Sequence, residues 1–150
     1  MGKLTRSWQA WRELSPRHRW LVFKAWLLLA LTGAGLKLFG YQGTRRWLLS
    51  DAPGPPSGAD AAKALLITRI VGGAAAWNPL SATCLVRSLV LCRLLRSEGL
   101  AADLRIGVAR PGGAFRAHAW VEHHGVALGE PEDVAGQFLE LAGPVRGQEP

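Results

Sequence analysis

Residues 77–99 limit what this chain can become. From Ser81 the run SATCLVRSLVLCRLLRSEG reads as one helix with legible ends. Ser81 is a suitable N-cap, because its hydroxyl can accept from the orphan N–H groups of the first turn. Gly99 stands where a left-handed residue closes a helix, just after Arg93 and Arg96, whose charges suit the negative end. This alignment puts Cys84 at the third helical position. A thiol there faces the positive end of the helix dipole, a setting that favours the nucleophilic thiolate. Such a cysteine is either a reactive group or a small core residue, and the presence of a base decides between them.

A chain of 150 residues suits one domain, and its 49% hydrophobic composition is enough for a core. Cys84 and Cys92 lie eight positions apart on the same expected helix, about 12 Å along its axis. That is too far for a disulfide and points to a reducing, cytoplasmic setting. The net charge of +7 is unevenly placed: residues 1–50 carry nine Lys and Arg against the single acid Glu13, and the remainder is close to neutral. A basic front half suits nucleic acid, anionic lipid or an acidic peptide. No groove-reading motif accompanies it, which argues against nucleic acid.

Taken in order, Ser15-Pro16 starts a helix that should run to Thr32 and stop at Gly33. From Trp20 to Leu31 it is apolar on every side except Lys24, so it is buried or touches lipid. The uninterrupted apolar stretch, residues 25–36, is 12 residues long, nearer a buried helix than a crossing of ~20 residues. The same basic flank and apolar run also imitates a signal sequence. Membrane association thus stays open behind docking on the chain's own core or on a partner. Residues 36–49 read as a second short helix, residues 51–60 (DAPGPPSGAD) as a Pro/Gly loop, and residues 61–71 as a helix closed by Gly72-Gly73. There is no P-loop, no GxGxxG and no CxxC. Beyond residue 100 the periodicity changes to three short strands, residues 103–110, 114–122 and 126–130. A helix followed by a run of short antiparallel strands is an α+β pattern. The expected divisions are a basic Trp-rich helical region (1–50), the loop (51–60), a core (61–142) and a tail (143–150).

Two residues supply a base and an acid for Cys84. His123-His124-Gly125 reads as a three-residue hairpin loop with Gly125 in the left-handed position. Counting outward, Glu122 faces Val126, Trp120 faces Leu128, and His118 faces Glu130. Opposed residues share a face with Cβ atoms about 5 Å apart. A two-residue turn at His124-Gly125 would instead shift the register and put Glu130 on the other face. With the longer loop, Cys84 is the nucleophile, His118 takes its proton and Glu130 orients the imidazole. The Cys84 N–H is one oxyanion donor, and the Asn78 side chain is a candidate for the second. Arg87, one turn from Cys84, either supports the site, holds a substrate acid or is simply solvated. Trp120, on the His118 face, is a cleft wall or a core residue. No histidine or cysteine spacing matches a zinc site, and this chemistry calls for no cofactor.

The blocks Cys84-Leu85-Val86-Arg87-Ser88-Leu89, Gly107-Val108 and Ala117-His118-Ala119-Trp120-Val121-Glu122 resemble the transglutaminase-like cysteine proteases of lasso-peptide biosynthesis. The resemblance covers roughly residues 60–140. It implies a papain/transglutaminase-like core, with the nucleophile helix packed on a small antiparallel sheet. It also implies a leader peptidase that hydrolyses one bond of a ribosomal precursor peptide, with its Cys-His-acid triad on Cys84, His118 and Glu130. The family's acid is often Asp, which leaves Asp133 as the alternative third member. The length leaves no room for a leader-recognition domain, so the resemblance implies a separate winged-helix recognition protein and an ATP-dependent cyclase as partners. Trp8, Trp11, Trp20 and Trp26 are the expected partner contacts, since large aromatics anchor interfaces.

Overall fold

The structure is a computed structural model and describes residues 15–49, 60–78, 82–131 and 133–141. Its elements are α1 (Pro16–Leu49), α2 (Ala61–Ala76), α3 (Cys84–Ser97), β1 (Asp103–Ala109), β2 (Arg116–His123), β3 (Val126–Ala127), α4 (Val134–Gln137) and β4 (Leu139–Glu140). The strands form one antiparallel sheet in the order β3-β2-β1-β4. The class is α+β, as the change of periodicity predicts.

α3 is the central element. Leu89, Val90, Cys92, Leu94 and Leu95 on it are fully buried and share one core with Ala25 and Leu29 of α1, Ala64 and Ile67 of α2, and Leu104 and Val121 of the sheet. Its C-terminus closes as expected. Gly99 has φ +76°, with N–H bonds from Leu100 to the Leu95 carbonyl and from Gly99 to the Arg96 carbonyl, the double bond of a Schellman ending. The N-terminus differs from expectation. Thr83 is the cap, its hydroxyl accepting from Val86 N–H at 3.4 Å, and Cys84 is the first helical residue rather than the third. Ser81 lies outside the described residues.

α1 begins where Ser15 and Pro16 dictate, with His18 N–H donating to Ser15 Oγ. The expected stop at Gly33 does not occur. The helix passes through Gly33 and Gly35 and breaks at Gly40 (φ +68°). A helical glycine costs only about 1 kcal/mol, which the packing of Ala25, Leu29 and Thr32 outweighs. Gly35 has a steric use: the segment after Gly40 folds back, so that Thr44 Oγ1 lies 3.1 Å from where a Cβ on Gly35 would stand. α2 likewise runs through Gly72-Gly73 to Ala76, its start capped by Asp60 accepting from Lys63 N–H at 2.9 Å. By length and composition α1 is long and apolar enough to cross a membrane, and 22% of its most apolar window is buried.

The sheet has two unlike faces, because side chains alternate along each strand. Leu104 and Val121 are paired across β1 and β2 and face α3. Arg105, Gly107, His118 and Trp120 share the opposite face, which Phe138 covers. Phe138 arrives there on a return of the chain through α4 into β4, pairing Val108 with Leu139 and Gly107 with Glu140. Neither short element was legible in the sequence.

Candidate active site

The hairpin after β2 is tighter than expected. His124 and Gly125 both have positive φ (50° and 79°), and the ladder pairs Glu122 with Ala127 and His123 with Val126. This is the two-residue turn whose backbone twist suits a hairpin, and histidine tolerates the left-handed region better than most residues. The expected pairing of Glu122 with Val126 is therefore off by one. Continued unchanged, the ladder would set Glu130 opposite Ala119, away from His118. It is not continued. β3 ends at Ala127, one further bond joins Leu128 N–H to the Val121 carbonyl at 2.9 Å, and Gly129 (φ +70°) turns the chain. Glu130 Oε2 thereby lies 3.1 Å from His118 Nε2. The expected pair forms, by a glycine turn rather than by cross-strand register.

Cys84 and Glu130 line one cleft of about 240 Å³ between α2, α3 and the open edge of β2, together with Arg69, Arg87 and Trp120. Cys84 is partly exposed there. Cys92 is fully buried, and burial pushes its thiol up to about 11. Only one of the two cysteines is therefore placed to react. Among the described residues no hydrogen bond joins Cys84 Sγ to the His118 ring, which lies on the Phe138 face of the sheet. Glu130 is common to both groups: it shares the cleft with the thiol and bonds the imidazole. Nε2 is thereby engaged by the carboxylate. Asp133, the alternative acid, instead accepts from Gln137 Nε2 at 2.6 Å, within α4 and its cap.

His118 is held from below. Its ring stacks on Trp120 (centroids 6.2 Å apart, planes 17°) and abuts Phe138 at 5.4 Å. Trp120 is buried, and its indole N–H donates to Glu122 Oε1 at 3.1 Å. The other oxygen of Glu122 accepts from Arg105, which also reaches Glu140 on β4. Trp120 thus touches the cleft and packs under the imidazole at once. A signal for Gly129 was present, since an isolated glycine in a strand pattern marks a bend. None was visible for Phe138, which comes from outside the strand pattern.

The remaining candidates are placed as follows. Asn78 donates its amide to the Trp26 carbonyl at 3.3 Å, tying the end of α2 to α1, and is not among the residues lining the cleft. Arg87 lines it, one turn along α3 from Cys84. Trp20 and Trp26 are exposed on α1, whereas Trp8 and Trp11 lie outside the described residues. No curated protein and no solved structure matches the chain. A family model described as the transglutaminase-like superfamily matches residues 26–142, beginning within α1 and reaching further forward than the resemblance to the peptidases alone. With that match over most of its length, the chain belongs to the transglutaminase-like superfamily.

Proposed function

We propose that this chain is a cysteine peptidase that removes the leader from a ribosomally made lasso-peptide precursor. One observation carries the mechanism: Cys84 and Glu130 share a cleft, and Glu130 holds the imidazole of His118. The Cys84 thiolate attacks the carbonyl of the last leader residue, and His118 gives its proton to the departing amine of the core peptide. Water, deprotonated by His118, then splits the thioester and releases the leader acid. The cycle needs Nδ1 within hydrogen-bond reach of Sγ, a contact that catalytic pairs often tighten only when substrate is bound. The Cys84 N–H lies in the open first turn and serves as an oxyanion donor. The freed amine is what an ATP-dependent cyclase would use to close the ring.

The lasso specificity rests on the ordered CLVRSL and AHAWVE blocks. A separate winged-helix protein would present the leader. Its dock is the exposed stripe Trp20, Phe23, Leu27 and Leu31 on α1, where aromatic residues are the natural anchors. Deleting α1 would remove core residues, so Trp20→Ala with Phe23→Ala is the cleaner test of that contact. The decisive experiment incubates the chain with a lasso precursor peptide and a winged-helix leader-recognition protein. Cleavage should disappear in Cys84→Ala and in His118→Ala, with the fold retained by circular dichroism. Cleavage surviving in Cys84→Ala would refute the mechanism. Transfer of the acyl group to an added amine in preference to water would mark an acyltransferase instead.

A further inference from the structure

The cleft that holds Cys84 carries more positive charge than its own acid can use. Arg69 of α2 and Arg87 of α3 both line it, and both are exposed. Among the described residues neither makes a side-chain hydrogen bond or ion pair. Glu130, the acid lining the same cleft, is engaged by His118. Elsewhere the chain does pair its cations with acids: Glu98 takes Lys63 and Arg17, and Arg105 is held between Glu122 and Glu140. Two unpartnered guanidinium groups in a concave site focus a positive field on whatever enters. Each presents a planar fork that fits a carboxylate through two parallel bonds. Arg87 stands one turn from Cys84, so an anion bound there lies within a residue or two of the atom under attack.

We propose that Arg69 and Arg87 form a carboxylate-binding subsite beside Cys84, and that the peptide accepted carries an Asp or Glu close to the bond attacked. The inference rests on the peptidase reading and names the class of its substrate. Both arginines sit on helices of the core, so their backbones are placed before substrate arrives. Its two charges come from separate elements, and each should contribute independently. An acidic residue near the bond would be drawn in by the field and then held against the cleft wall. The same peptide with an amide at that position would bind without that contact.

The test uses the full chain and two alkylating probes that differ in charge. Iodoacetate carries a carboxylate and iodoacetamide does not, so the ratio of their rates at Cys84 reports the local field with the thiol's own reactivity divided out. The ratio should exceed that of free cysteine in the same buffer. It should fall about two- to fivefold in Arg69→Gln and again in Arg87→Gln, the range expected of exposed ion pairs, and Arg87→Lys should restore part of it. Added salt should shrink the difference. A ratio unchanged in both variants overturns the subsite. If iodoacetamide labels Cys84 no faster than Cys92, the peptidase reading fails instead, and the two failures are separable. With a cleaved precursor in hand, replacing the acid nearest the bond by its amide should cost the product of the two factors, about four- to twenty-five-fold in kcat/KM. That loss should vanish in the double variant Arg69→Gln/Arg87→Gln. A precursor cut efficiently with no Asp or Glu within a few residues of the bond also overturns the proposal.

Discussion

Gly107→Ala is the sharpest test of how His118 is held. Gly107 lies on β1 directly opposite His118. A Cβ added there would stand 2.7 Å from Phe138 Cβ and 3.2 Å from two ring atoms of Trp120. Carbon atoms pack at about 3.5–4.0 Å, so Phe138 must retreat by roughly 1 Å. It cannot do so by swinging its ring, because the clash is with its own Cβ. The backbone beside it is fixed by the pairing of Val108 with Leu139 and by Leu141 N–H on the Ile106 carbonyl at 3.0 Å. Overpacking of this kind costs about 1–3 kcal/mol. Against that, alanine restricts the unfolded chain and returns about 0.4–1 kcal/mol, since Gly107 is not left-handed. The expected net loss is about 1–2 kcal/mol, read as a lower urea midpoint with an unchanged slope. Gly73→Ala is the control: an added Cβ there meets nothing within 4 Å, and in a helix it should stabilise by up to about 1 kcal/mol. The His118 stack should also shift, lowering kcat more than it changes KM. A Gly107→Ala chain as stable as the parent would refute the reasoning, and the Phe138 contact would then lack the rigidity assigned to it.

Gly129→Ala forces a left-handed alanine, costing about 1–2 kcal/mol, and sets its Cβ 2.9 Å from Thr68 Cγ2. Activity should fall to the level of Glu130→Gln, and rates near those of the parent would show that the turn does not place the acid. Cys92 should resist alkylation in the folded chain and label only in denaturant, because it is fully buried with its thiol pushed up to about 11; mass spectrometry of labelled peptides checks this. Glu98 accepts a hydrogen bond from Lys63, which, with the added charge of Lys63 and Arg17, holds its carboxyl below the ordinary carboxylate range. A depressed folded value means that the contribution, at most about 1 kcal/mol for so exposed a cluster, is present at neutral pH. It is lost as pH falls through that value. Glu98→Gln should therefore lower the urea midpoint at pH 7 and match the parent in acid, and an equal deficit at both would contradict the linkage.

How much of this was legible depends on whether a feature is local. The closing of α3 at Gly99 and the opening of α1 at Ser15-Pro16 were readable, because each end is fixed by a side chain or a φ value within a few residues. The extents of α1 and α2 were not, because glycine propensity lost to burial of residues such as Leu29 and Ala74. The cap of α3 differs by two positions from the sequence reading because both Ser81 and Thr83 are residues able to cap a helix, and Thr83 takes the place. A three-residue loop predicts that His118 meets Glu130 through a register the sheet does not have. The loop is one residue shorter than the sequence predicts, and the strand after it ends early at a left-handed glycine, which together return Glu130 to His118. The support under His118 was invisible because Phe138 and Glu140 reach it from a two-residue strand.

The two sides of the candidate site are held in physically different ways, and this bears on how it works. Cys84 opens a helix whose following turns are buried on one side, with Ser88 Oγ bonded to the Ala119 carbonyl at 2.8 Å. Moving the Cys84 backbone means moving the core. His118 rests on a stack of two aromatic rings that is itself clamped by the ion pairs of Arg105. Glu130 is held differently: it follows a glycine turn between a strand of two residues and a helix of four, and among the described residues its carboxylate meets the imidazole of His118. Short irregular segments open at lower cost than packed helices, so the acid sits on the least regular of the three backbones, anchored on either side by buried Leu128 and Val134. Substrate entering beside Arg69 and Arg87 would meet that segment along the same cleft. Because His118 is held on its stack, a shift of this segment would tighten or release the Glu130 contact rather than carry the His118 backbone toward Cys84. The approach of ring to sulfur that the proposed peptidase cycle needs must therefore come from rotation of the His118 side chain.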